Sequence, residues 1–303
     1  MKKRYLLLFL LLLMFNLTYA QLDAKEDELK KQAADKEDGF KKGAIVNLAL
    51  NQASFSNWSA GGFNSLSAST KINYFFYHKK ANWIWDNYGQ VGYGILDQEN
   101  NDDIVKTDDI FEFTSKLGRK ARENLYYAAL LNLRTQMTPG YANPGDDTKI
   151  SDLLAPLYVT GGIGVDFKKE DKLSVFASVL STKMTYVGNE ELSDAGAFGV
   201  DPGENLKSEF GGYVKAHYQD EIMKNVQLVS KLDLFSNYLD KPQNIDVNLE
   251  LLLNMKVNKY ISANISTTMI YDDDIDIASD EDDKPGPKLQ LKEILGIGIS
   301  FTL

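Results

Sequence analysis

IDVNLELLLNMKV, residues 245–257, carries an apolar residue at every odd position: Ile245, Val247, Leu249, Leu251, Leu253, Met255 and Val257. Its even positions hold Asp246, Asn248, Glu250, Leu252, Asn254 and Lys256, polar in every case but one. Successive side chains of a strand point to opposite faces, so this segment has one apolar and one charged face. A single strand of this kind would serve equally in a soluble sandwich. About a dozen of them behind a secretory leader point to an all-β fold, a transmembrane antiparallel up-and-down β-barrel.

The period of two recurs outward in both directions. It predicts strands over 44–54, 63–77, 82–96, 108–118, 125–137, 157–167, 173–187, 210–218, 226–235, 245–257, 261–271 and 289–303. The phase breaks at Val179–Leu180, which predicts a bulge. Connections after odd-numbered strands are mostly long, and those after even-numbered strands are short. Transmembrane barrels show this alternation, with long outer loops and short periplasmic turns. Charge follows it too: Glu99, Asp102, Asp103, Glu190, Glu191 and Asp201 fall in the long loops, Lys79, Lys80, Arg119, Arg122 and Lys169 in the short turns. Aromatic residues are expected at both rims, Tyr74, Phe76, Trp83 and Trp85 at one, Trp58, Tyr158, Phe235, Tyr238 and Tyr271 at the other. The final strand, GIGISFTL, supplies an edge that can close on the first.

Residues 1–20 read as a cleaved secretory signal: Lys2, Lys3 and Arg4, an apolar run from Leu6 to Phe15, then Thr18-Tyr19-Ala20. Residues 21–43 are charged and read as a periplasmic lead-in, leaving 44–303 for the barrel. No later run is long enough to cross a bilayer as a helix, so strands must do so. The expected location is the outer membrane, among outer-membrane lipid and lipopolysaccharide. The formal charge of -10 over 303 residues excludes nucleic acid as a partner. There is no cysteine, hence no disulfide, thiolate metal site or thiol nucleophile.

Five blocks resemble one family: FSNWSAGG (55–62), LNLRTQMTPGY (131–141), GAFGVDPG (196–203), FSNYLDKPQNIDVN (235–248) and IYDDDI (270–275). Together they look like the signature of domain of unknown function 3078. That resemblance implies a porin-like outer-membrane barrel of Bacteroidota, with no established activity, cofactor or catalytic residue. Where the family pattern has a tryptophan ahead of the first strand, this chain has Phe40.

The inward faces are expected to present Lys71, Glu112, Lys116, Arg134, Lys215, His217, Lys231, Asp233, Asp246, Glu250 and Lys256. These side chains either line a selective pore or fill a narrow interior as an ion-pair network. The acidic run DDDIDIASDEDD begins at Asp272, and Asp272, Asp274 and Asp276 are candidate surface ligands for Ca²⁺. The run lacks the glycine and spacing of an EF-hand loop. The loop 188–208 contains Gly196, Phe198, Gly199, Val200, Pro202 and Gly203, and is expected to fold inward, meet a partner or pack on the rim. An enzyme would need a serine, a base and an oxyanion site together. With no GxSxG and only His78 and His217, the chain is read as non-enzymatic. Two roles remain: a narrow pore for small solutes, or a non-conducting barrel acting through another envelope protein.

Overall fold

The computed structural model describes residues 38–54, 64–99, 103–141, 145, 147–170, 172–258, 261–277 and 286–302. The leader and most of the lead-in, residues 1–37, lie outside them, as does Trp58. Twelve strands form one closed ring: β1 Gly39–Ala53, β2 Ser65–Lys80, β3 Trp83–Gln98, β4 Val105–Arg122, β5 Leu125–Thr135, β6 Leu157–Lys169, β7 Leu173–Tyr186, β8 Leu206–Met223, β9 Val226–Asn237, β10 Asp246–Lys256, β11 Ile261–Tyr271 and β12 Gln290–Thr302. Each pairs antiparallel with its neighbours, and β12 closes on β1 with Val46 opposite Phe301 and Leu48 opposite Ile299. Closure leaves no edge strand to recruit another chain.

All twelve predicted strands are present, but several run longer than the apolar pattern. The first reaches back to Gly39, into the stretch read as lead-in, and pairs with β2 along its whole length. Phe40 there stacks on His78 with ring centroids 4.0 Å apart. The eighth extends from 210–218 to Leu206–Met223. Its outward face is interrupted by Gly212 and its inward face is polar, so period two fades although pairing continues.

The outward face is an apolar belt. Ile163 and Val179 are 70% and 71% exposed, and Leu50, Leu131, Leu291, Leu295 and Ile297 are also open. Water would not tolerate so continuous an apolar surface, whereas acyl chains would. The predicted bulge lies where expected: the β6–β7 register shifts between Ile163 and Val165, and Val179 and Leu180 both turn outward. Close approach at this point demands glycine. A methyl group on Gly164 would lie 2.8 Å from the carbonyl carbon of Ala177. Gly164→Ala is therefore expected to cost about 1–3 kcal/mol by overpacking, read as a lower melting point of the heat-modifiable band. Gly161→Ala, with its nearest neighbour at 3.8 Å, is expected to leave that point unchanged.

Short turns join the strands at one end and long connections at the other. The short turns use one residue in the left-handed region, Ala81, Asn124, Glu170 or Asn225. Asn suits that region, since its side chain can hydrogen-bond locally. At the same end Arg119 lies over the Trp83 ring, 5.8 Å from its centroid. Two of the expected rim aromatics are not at the rim. Register places Tyr158 inward beside Arg134. Phe235 is buried in the lumen against Phe176 and Tyr213, and Lys183 stands 5.6 Å over its ring. Phe235 follows the inward charges Lys231 and Asp233 in period two, so its side was legible from phase and its aromatic character misdirected the assignment.

Candidate functional site

The inward positions of each strand are set by register and by contacts that cross the barrel. Gln90 on β3 donates a hydrogen bond to Glu250 on β10 (3.1 Å) and accepts one from Lys231 on β9 (3.0 Å). β3 and β9 stand six places apart in a ring of twelve, so opposite walls touch. Glu112 on β4 is the hub: Lys215 on β8 reaches it at 3.2 Å, Lys231 at 3.5 Å, and Asn132 donates to it at 3.0 Å. Arg134 lies 3.7 Å from Glu250, and Lys215 also pairs with Asp233 at 3.0 Å. Tyr213 donates its hydroxyl to the same Asp233. Glu112 is 4% exposed and Lys215 3%, so these charges sit in a low-dielectric setting where each needs its partner.

Six of the sequence-read lumen residues therefore converge: Glu112, Arg134, Lys215, Lys231, Asp233 and Glu250. Lys116 pairs separately with Asp166 (2.8 Å) and donates to Ser174. Lys168 bonds Asp86 close by. His217 lies inward with its ring centroid 5.9 Å from that of Tyr88. Lys256 is exposed at the short-turn end. Lys71 points inward, opposite Asn47, within electrostatic reach of Glu250 at the hub. Sequence reading missed Gln90, Asp166 and Lys183. Asp166 was legible as an even position between outward Val165 and Phe167, while Gln90 sits in the glycine-rich run GQVGYG, where apolar alternation gives little guidance.

The mouth at the long-loop end is also bridged. Lys183 on β7 lies 2.6 Å from Asp246, 3.0 Å from Asp272 and 3.7 Å from Glu209. Lys207 pairs with Asp274 at 2.6 Å. Burial would raise the Asp274 carboxyl, but its bond to Lys207 and the Lys207 charge hold it below the usual carboxylate range. Its stabilising contribution is thus present above the unfolded value, near about 4, and is lost as pH falls through the lower folded value. Asp272 and Asp274 serve these lysines, and the side chain of Asp276 lies outside the description. Among the described residues no three His, Asp or Glu converge as metal ligands.

The loop after β7 is ordered. A five-residue helix, α1 Glu190–Asp194, starts at Asn189, whose side chain accepts the Leu192 N–H. Leu192 and Val200 pack with Ala155 and Val187, and Ala197 and Phe198 lie against them. The loop thus packs on the β5–β6 connection at the barrel's own rim. It also leans across the mouth, where a methyl group at Gly199 would sit 3.1 Å from the Asp274 carbonyl oxygen.

No curated protein matches the chain. Among solved structures it is similar to the translocator domain of the autotransporter NalP from Neisseria meningitidis, with 10% identity, 92% of this chain and 95% of that one covered, and a TM-score of 0.33. It is similar also to an outer membrane channel from Pseudomonas putida F1, at 11% identity over 89% of this chain and 98% of that one, with a TM-score of 0.39. Salmonella typhi OmpF matches at 10% identity over 90% and 99%, with a TM-score of 0.29. Of the five blocks, FSNWSAGG and LNLRTQMTPGY fall inside a match to a family model, while the other three lie beyond it. Residues 50–141, from the end of β1 through β5 and the turn after it, match the family described as Protein of unknown function (DUF3078), the family this chain resembles.

Proposed function

We propose that the chain is an outer-membrane barrel handling small polar solutes along one side of its lumen, closed at rest by ion pairs between opposite walls. The carrying observation is the set of links from β3 and β4 to β8, β9 and β10 through Gln90, Glu112, Lys215, Lys231 and Glu250. The lumen is asymmetric about it. Inward residues of β3–β8 such as Gln90, Thr114, Lys116 and Asp166 are buried, whereas Ser69, Asn73, Asn254, Asn264 and Ser266 on β2, β10 and β11 remain partly open. On this reading the short turns face the periplasm and the long loops the exterior.

Single-channel recording in a planar bilayer tests the reading. The wild-type protein is expected to open rarely and in small steps. Gln90→Ala removes two cross-wall hydrogen bonds and is expected to raise the open fraction about tenfold, since about 1–1.5 kcal/mol separates the two arrangements. A folded, heat-modifiable barrel that never conducts, as wild type or variant, overturns the pore. The ordered cap of α1 and residues 196–200 supports the replacement, a barrel that works by contact with another envelope protein.

A further inference from the structure

We propose that a groove on the lipid-facing side of the barrel, across β6–β9, seats an acyl chain of lipopolysaccharide. The inference rests on the orientation given above, and does not depend on whether the lumen conducts.

The groove is built by small residues between tall flanks. Ala177 on β7, Gly212 on β8 and Ser236 on β9 face outward on neighbouring strands, with little or no side chain to raise the surface. Register ties them together: Val214 lies opposite both Ala177 and Leu234, and Gly212 lies opposite Ser236. On one flank the bulge described above turns Val179 outward, and Ile163 stands on the neighbouring strand. The other flank is formed by Leu234, Tyr238 and Ile245. The depression between them has a volume of about 530 Å³. That lies within the roughly 300–1,000 Å³ of small-ligand sites. Gly212 lets the second flank stand where it does. A methyl group there would lie 2.7 Å from the Tyr238 hydroxyl, and the Tyr238 ring packs edge-on against Phe210 at 6.1 Å.

The lining selects hydrocarbon. It includes no charged side chain, and its two serine hydroxyls are already committed. Ser178 donates to the Ile163 carbonyl and Ser236 to that of Pro242, each at 2.7 Å. A polar solute finds no partner here, whereas each methylene group buried is worth about 0.8 kcal/mol. The groove opens directly onto the apolar belt, so it is continuous with the surface that acyl chains cover. On the rest of that belt a chain meets protein from one side. Here it touches a floor and two flanks, and gains dispersion contacts from each. Position names the source of the chain. Tyr238 and Ile245 belong to the connection at the long-loop end, so the groove rises toward the exterior. The leaflet it meets there in an outer membrane is built of lipopolysaccharide.

The full-length mature barrel, extracted from outer membranes in mild detergent and purified by size exclusion, provides the test. Lipid A and phospholipid that remain with it are quantified by mass spectrometry. The wild-type protein is expected to retain lipid A in stoichiometric amount. Ala177→Leu fills the floor and is expected to lower the retained lipid A about tenfold, the equivalent of two methylene groups left unburied. Tyr238→Ala removes a flank and is expected to lower it severalfold. Leu295→Ala, on the lipid face of β12 away from the groove, is expected to keep the wild-type level. The heat-modified band shows that each variant is folded. Phospholipid retained in place of lipid A, a dimer retained without lipid, or the same lipid A in the wild type and every variant overturns the proposal. Conductance recorded from the same preparation separates the two readings. Conduction without retained lipid A removes this proposal and spares the pore, whereas retained lipid A without conduction removes the pore and keeps the groove.

Discussion

Glu112→Ala is expected to destabilise the barrel by about 3–5 kcal/mol, the cost of taking one member out of a buried charge network. Glu112 receives Lys215, Lys231 and Asn132. Without it, Lys215 retains only Asp233 and Lys231 retains Glu250 at 3.6 Å. Two ammonium groups would then share a space poor in water with fewer acceptors than they need. Heating in detergent before electrophoresis reads the loss as a lower temperature for the folded-to-unfolded band shift. The double variant Glu112→Gln with Lys215→Gln is expected to recover most of it, because a matched pair of neutral amides leaves no isolated charge. If the single and double variants melt alike, the network is not the cross-wall strut described above.

Lys183→Met is the second large effect. Lys183 pairs with Asp246, Asp272 and Glu209, and it also covers the Phe235 ring. Methionine keeps the bulk on the ring and removes the charge, leaving three carboxylates in mutual repulsion at the mouth. A loss of about 3 kcal/mol is expected, with faster protease cleavage in the connection after β11 as its local sign. The same melting point and the same cleavage rate as wild type would show that the mouth is held by the α1 loop alone. Raising salt is expected to change the variant more than the wild type, since screening relieves like charges.

The architecture was legible because a barrel writes itself into period two. Thirteen residues, Ile245 to Val257, suffice to separate the lipid face from the lumen face, and later contacts keep that assignment: Glu250 inward to Gln90, Leu251 outward. Loop parity carried the direction of every hairpin. What period two cannot convey is which inward residues meet. Glu112 and Lys215 are both plain inward charges, and nothing in the sequence says that they touch across a separation of 103 positions. Which inward residues meet is a property of the whole ring. Lys183 was passed over for a related reason, because the bulge at Val179 and Leu180 shifts the phase just before it.

The cross-wall links also dictate an order of assembly. Gln90 and Glu250 are 160 positions apart, and Lys292 reaches Asp108 across 184. No local hairpin can form either contact, and the second requires β12 itself. A chain inserted with its seam still open would hold Glu112, Lys215 and Lys231 without their full set of counter-charges at the depth of the bilayer. Such a species is penalised by several kcal/mol for each stranded ion. Half-inserted sheets are therefore disfavoured, and curling of the sheet supplies the counter-charges they lack. The strut that narrows the finished lumen thereby also favours the closed ring over any open sheet of the same strands.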